Sequence, residues 1–243
     1  MTAGAAATTG DAPVSRHMVD NTLPFKPRIL SMGERSRRET LSYSSPRNSR
    51  IVTLTDPGPI ALGLRYEFDA TLEVFVERPR RLALTPKQQI DVSFWTRDRN
   101  GIERMVLFVP TAGTVPSTTG LAAVRDRDIL DAAARRHGFE LTYVTERELL
   151  SASAERGAHW QLLPHVQHYR RLPTRALVES AIEALLATSP TVTLRRAGQQ
   201  LAERFTVDQV AAVLAAWVHG GRLRIPTHAG FNEDTVMEVI DAP

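Results

Sequence analysis

The sequence predicts an α/β domain built on a mixed sheet, preceded by a basic arm and followed by a small helical domain that closes on a β hairpin. Three observations lead there. Over residues 51–172 the hydrophobic pattern runs helix, strands, helix, strand, helix, an order that suits a mixed sheet covered on both faces. Beyond Pro173 the pattern changes to a series of short helices. Residues 1–24 are small, polar and aperiodic, and cannot bury enough apolar area to offset the entropy of ordering them.

Taken in order, residues 1–50 read as a disordered to extended basic arm, since Lys26 to Arg50 stays polar and rich in Ser and Arg. The packed domain is expected to start at the β-prone run Ile51-Val52-Thr53-Leu54. Asp56 and Pro57 read as the cap and first residue of a short helix that buries Ile60, Leu62, Leu64 and Phe68. Strands are expected at Leu72–Val76, Arg80–Leu84, Ile90–Thr96 and Arg104–Val109, punctuated by Pro79, Pro86 and the turn Arg99-Asn100-Gly101. The Ser/Thr-rich stretch 111–120 lacks the Gly-Lys-Ser/Thr ending of a phosphate loop and reads as a connector. A helix fits Leu121–His137, stopped by Gly138. A strand follows at Phe139–Val144, then a helix opened by Thr145 with Glu148 in capping-box position. Residues 173–243 hold three helical patterns and a hairpin formed by Arg222–Ile225 and Val236–Ile240, which together suggest a winged helix.

Composition narrows the chemistry. The chain has 243 residues, 42% hydrophobic and 23% charged, which places it in the globular range. Without cysteine it has no disulfide, thiolate nucleophile, zinc ribbon or iron–sulfur ligand, and the expected location is cytoplasmic. The longest apolar run, Val210 to Val218, is far shorter than the roughly 20 residues a membrane helix needs, and the N-terminus does not read as a secretory signal. Net charge is +3, divided as +4 over residues 1–50, +1 over 51–173 and −2 over 174–243. The footprint for a polyanion is therefore the arm, where Arg35, Arg37, Arg38, Arg47 and Arg50 are the candidate DNA-binding residues. The third helix of the C-terminal domain is Ala-rich, has no cation before Arg222, and does not look like a groove-reading helix.

Several short stretches, in their order and spacing, resemble the TnsA endonuclease subunit of heteromeric transposases. They are Ser45-Pro46-Arg47-Asn48 leading into Arg50-Ile51-Val52, then Tyr66-Glu67-Phe68-Asp69 and Phe75-Val76-Glu77-Arg78-Pro79. Gly138-Phe139-Glu140, Val144-Thr145-Glu146-Arg147, Leu162-Leu163 and Tyr169-Arg170 continue the series. The resemblance implies a restriction-endonuclease-like α/β core followed by a winged helix, and metal-dependent cleavage of DNA. It also implies a helix Glu, a strand Asp, and a Glu or Gln plus Lys on the next strand, because carboxylates must hold Mg²⁺ while the metal polarises a phosphate and acidifies a bound water.

This chain departs from that set. The helix Glu falls at Pro59, the strand acid at Phe108 and the Lys at Pro110, leaving Asp91 as the single retained catalytic position. Glu103 lies five residues from Phe108, so it faces away from it on a strand, and the facings of Glu73 and Glu77 are not fixed by pattern. His159, His165 and His168 form the densest histidine group but lack further ligands for zinc. The expected function is that of a TnsA-like pseudoenzyme in DNA transposition or mobile-element machinery. Its expected partners are DNA and a transposase or ATPase regulator subunit, with no membrane contact. No cofactor or metal is expected. Two alternatives stay open: an active endonuclease with displaced ligands, which would use Mg²⁺, and a winged-helix adaptor or regulator.

Overall fold

Alternation of buried and exposed side chains begins earlier in the chain than its polarity suggests. A computed structural model describes residues 23–116, 122–151, 153–226 and 231–240; of the disorder expected over residues 1–24, residues 1–22 lie outside the described residues, while Leu23 packs against the core. The first helix, α1 (Met32–Ser36), is opened by a capping box in which Ser31 and Glu34 each accept the other's backbone N–H. A hairpin follows, β1 (Thr40–Ser45) paired antiparallel with β2 (Arg50–Thr55), in register Tyr43 to Val52. The stretch Lys26–Arg50 is therefore not an extended arm up to residue 50. On β1 the residues Thr40, Ser42 and Ser44 are exposed, while Tyr43 and Ser45 are buried. Serine at both kinds of position hides this period-two pattern from a hydrophobicity reading.

Helix α2 (Pro57–Phe68) lies beside this hairpin and leads to β3 (Leu72–Glu77). The hairpin β4 (Arg81–Thr85) and β5 (Gln88–Asp91) comes next, then β6 (Phe94–Asp98) and β7 (Glu103–Val109). The expected single strand Ile90–Thr96 is thus two strands. The chain changes partners between them: the Val92 amide bonds the Arg80 carbonyl, and the Ser93 amide bonds that of Val106. Beyond β7 come β8 (Thr114–Pro116) and β9 (Ala122–Val124), which pair with each other, then α3 (Arg127–Arg136) and β10 (Leu141–Thr145). The helix read from Leu121 starts only at Arg127. Asp126, with a left-handed backbone (φ 54°), separates it from β9, and Leu121 lies outside the described residues.

The central sheet has four strands in the order β10-β7-β6-β3, with β10 parallel to β7 and the other pairs antiparallel. It is a mixed sheet in an α/β chain, as the element order implied. Phe75, Phe94 and Val106 join the core under α2 and α5 (Ser153–Tyr169). Trp95, Met105, Leu107 and Val109 join the opposite core with Val74 and Val76, under α3 and the β4–β5 hairpin. Helix α4 (Glu146–Ser151) begins with the expected capping box: Thr145 N–H donates to Glu148 and Glu148 N–H to the Thr145 hydroxyl.

The C-terminal part contains α6 (Arg175–Leu186), β11 (Thr191–Val192), α7 (Leu194–Leu201) and α8 (Val207–Gly220), then β12 (Leu223–Arg224) and β13 (Met237–Val239). β12 pairs with β13 as the hairpin reading required, and β11 adds a third strand on the other side of β13. On α6 the buried face is Val178, Ala181 and Ile182, while Leu177 is exposed. Residues Val210 to Ala215 of α8 are all buried, in one continuous core that also takes in α2 and α5. Among the described residues no helix is long and apolar enough to cross a membrane.

Candidate functional site

Pleating decides what stands over the start of α2. Residues 106 and 108 of β7 point to the α2 side, so the Phe108 ring meets the helix at Gly58, where a Cβ would come within 2.1 Å of the ring. Glycine is thus required there by the aromatic ring, and the two residues occupy one volume together. A cleft of about 470 Å³ opens beside this contact, walled by α1, the start of α2, β5, the end of β7 and the β9–α3 corner. Pro59, Asp91, Phe108 and Pro110 all line it. The four positions at which the resemblance implies metal chemistry, separated by up to 51 residues of chain, therefore meet at one place.

They do not fit a divalent cation. Neither proline side chain carries a donor atom, and Phe108 presents an apolar ring. Both oxygens of Asp91 already accept from arginines: Arg28 Nε at 2.9 Å, Arg28 Nη2 at 2.5 Å and Arg81 Nε at 3.1 Å. Glu34 approaches the same place but bonds the same two arginines, Arg28 Nη2 at 2.9 Å and Arg81 Nη2 at 3.4 Å. Hydrogen bonds from Arg28 and then from Ser31 lower the Glu34 pKa to about 2, and those Arg28 makes to Asp91 and then Glu34 raise its own. Two carboxylates and two guanidinium groups form a closed ionic square. Among the described residues no group of three or more His, Asp or Glu side chains is arranged to hold a metal ion. Of the other acids considered, Glu73 pairs with Arg97, Glu103 accepts from the Trp95 indole, and Glu77 is buried against Arg50.

The backbone is unusual around this cleft. Asp56 (φ 68°), Arg78 (φ 47°) and Asp126 (φ 54°) are three of the four non-glycine residues with positive φ among the described residues, and all three line it. Such conformations cost on the order of 1–3 kcal/mol each and persist where surrounding structure enforces them. Asp56 takes the cap position of α2 as read from sequence, yet makes no side-chain capping bond; its carboxylate pairs with Arg38 at 3.2 Å instead.

The five candidate DNA-binding arginines divide into two sets. Arg47 and Arg50 are structural and turned inward. Arg47 caps the end of α2: Nε and Nη2 donate to the Glu67 carbonyl at 3.1 and 3.0 Å, and Nη1 donates to the Leu72 carbonyl. Arg50 grips Glu77 at 2.5 and 3.0 Å. Arg35, Arg37 and Arg38 lie on or just after α1 and are exposed.

A second carboxylate, Glu67, stands in one of the resembling stretches, but the sequence does not disclose its partners. Glu67, fully buried on α2, accepts from the Ser45 hydroxyl at 2.5 Å, the Arg47 amide at 2.8 Å, the Tyr43 hydroxyl at 3.2 Å, and contacts His219 Nε2 at 3.0 Å. Burial alone would raise its pKa, but the hydrogen bonds from His219, Ser45 and the Arg47 amide outweigh that and hold it below the ordinary carboxylate value. Asn48 extends the node, its Oδ1 accepting from the Phe75 amide at 3.0 Å. The stretch Ser45-Pro46-Arg47-Asn48 thus has a structural role, joining the β1–β2 turn to α2, β3 and, through Glu67, to α8. His159 packs nearby, its ring stacked on Phe68 at 4.6 Å between centroids.

No family model matches the chain, and no curated protein is significantly similar to it.

Proposed function

We propose that the protein is a TnsA-like, nuclease-fold subunit that does not cleave DNA and acts in DNA transposition or mobile-element machinery. The observation that carries this reading is the convergence of Pro59, Asp91, Phe108 and Pro110 on one cleft whose contents suit packing and ion pairing better than a metal. The order α2-β3-β6-β7-α3-β10 with a parallel β10–β7 pair supports a restriction-endonuclease-like core. The helices α6, α7 and α8 before the β12–β13 hairpin support a winged helix. In that unit α8 is packed into the chain's own core on most faces, which argues against groove reading by this helix.

In this function the exposed cations Arg35, Arg37 and Arg38 touch DNA phosphates without reading bases, while a transposase or ATPase regulator supplies the chemistry. The test compares wild type with Asp91→Asn on supercoiled plasmid with Mg²⁺ or Mn²⁺. Neither is expected to nick. Metal-dependent nicking by wild type that disappears in Asp91→Asn would falsify the reading and restore the active endonuclease. Duplex binding is expected to weaken in the triple variant Arg35→Ala, Arg37→Ala, Arg38→Ala, with the salt slope of log K falling by about 0.9 for each phosphate that these arginines no longer neutralise. An unchanged slope removes these residues from the interface.

A further inference from the structure

The ionic square of Asp91, Glu34, Arg28 and Arg81 leaves one neighbouring cation over. Arg78 follows β3 and is buried, with only 8% of its surface exposed. Its backbone is held on both sides: its N–H donates to the Ser93 carbonyl and its carbonyl accepts from the Arg28 amide. Its Nε donates to the Arg28 carbonyl at 3.3 Å. The two terminal nitrogens have no hydrogen-bond or ion-pair partner among the described residues, although the residue lines the cleft.

Every nearby acid is already engaged. Glu77 is taken by Arg50, and both Asp91 and Glu34 by Arg28 and Arg81. Four arginines, 28, 50, 78 and 81, thus meet three carboxylates, 34, 77 and 91, and the excess of one positive charge falls on the buried member with open donors. Arg28 and Arg50 stand behind the lining and neutralise its carboxylates, and the remaining charges on the cleft, Arg38 with Asp56 and Arg125 with Asp126, balance in sign. A buried cation is costly without a counter-charge, and a guanidinium fork is shaped for a planar or tetrahedral oxyanion. Phe108, Ile90, Val124 and Leu130 give the cleft an apolar side beside its charged one. The volume, about 470 Å³, is that of an ordinary small-molecule site.

We propose that this cleft binds a small organic monoanion, an oxyanion head on a planar apolar body, with Arg78 as the anchor. The head is a phosphodiester or a carboxylate, both of which match a single surplus charge. This inference does not depend on the TnsA-like reading, since it rests on charge and packing in this chain alone.

The test is thermal unfolding and calorimetric titration of the full chain with millimolar cyclic AMP or benzoate. Adenosine serves as the neutral control and sodium chloride as the control for ionic strength. At least one anion is expected to raise the unfolding midpoint above the chloride control, as a ligand of the native state must. Cyclic AMP acting alone assigns the phosphodiester, and benzoate acting alone the carboxylate. Arg78→Met should weaken that binding by about tenfold or more, the loss of a charged hydrogen-bonding partner. Should Arg78→Met fail to fold, the exposed cleft residue Gln89 provides the second variant. Gln89→Glu brings a competing carboxylate to the wall and should weaken binding by about threefold with little change in fold. Neither anion exceeding chloride, or affinity unchanged in a folded Arg78→Met or in Gln89→Glu, would overturn the proposal.

Discussion

Glu67 and Asp91 are two carboxylates held by opposite strategies. Glu67 sits at zero exposure among neutral donors and one histidine, and ties together the β1–β2 hairpin, α2 and α8. Asp91 stands at the edge of a cleft with 18% of its side chain exposed, neutralised by two arginines that are themselves partly exposed. The first carboxylate is a junction of the fold, with little freedom to change. The second is a surface ion pair at a place where a family resemblance implies catalysis.

The largest expected effect comes from breaking the first site. Glu67→Ala strands two hydroxyls, a backbone amide and His219 without their acceptor, and should cost about 3–5 kcal/mol in urea unfolding. Glu67→Gln keeps an acceptor and the shape, and should cost less. Equal stability of the alanine variant and wild type would mean that the node is not a junction at all.

Acid should attack the same neighbourhood first. Burial, then the charge of Arg65, lowers the His159 pKa from its usual 6.5 to about 4, and its Nδ1 is buried without a partner. The folded state therefore holds this imidazole neutral while the unfolded chain protonates it. Its contribution is complete above about pH 6.5 and is lost as the pH falls towards 4, by about 3 kcal/mol in all. Glu67, with a depressed pKa, gives stability that is present above the ordinary carboxylate pKa and lost at lower pH still. Denaturation midpoints of His159→Phe should be flatter than wild type between pH 6.5 and 4. Parallel curves would place the acid sensitivity elsewhere.

The cleft can be broken through packing instead of charge. Gly58→Ala puts a methyl group into the Phe108 ring and should destabilise by about 2 kcal/mol, since the ring has to leave its place. In a Phe108→Ala background the same glycine substitution should be neutral or slightly stabilising, because Ala is the better helix former. The double-mutant cycle reads this coupling directly. Additive effects would mean that ring and glycine do not share one volume.

How much of this the sequence discloses depends on the distance over which each feature is decided. Strands β3, β4 and β7, helix α2, the Thr145 capping box and the helices beyond Pro173 are set by local period and turn residues, and they lie close to where pattern places them. The hairpin strand β1 is not legible because its buried positions include a serine whose partner is Glu67, 22 residues away. Asp91, Pro59, Phe108 and Pro110 can be singled out in sequence through a resemblance. That Arg28 neutralises Asp91 across 63 residues cannot, and neither can the open donors of Arg78. Arg47 and Arg50 illustrate the same limit. A basic stretch predicts a cationic surface until tertiary structure supplies a buried carbonyl or carboxylate for each guanidinium.

The smallest expected effect belongs to Asp91. Asp91→Asn leaves Arg28 with Glu34 as a partner and leaves Arg81 with access to water, so neither cation is stranded in an apolar interior. Partly exposed pairs of this kind are worth about 1 kcal/mol or less and are screened by salt, so the loss should shrink further at high ionic strength. Urea unfolding of wild type and Asp91→Asn at low and high salt checks both statements. A salt-independent loss as large as that of Glu67→Ala would make Asp91 a second junction of the fold, and the contrast between the two carboxylates would dissolve. A small, salt-sensitive loss would leave Asp91 as a replaceable ion pair.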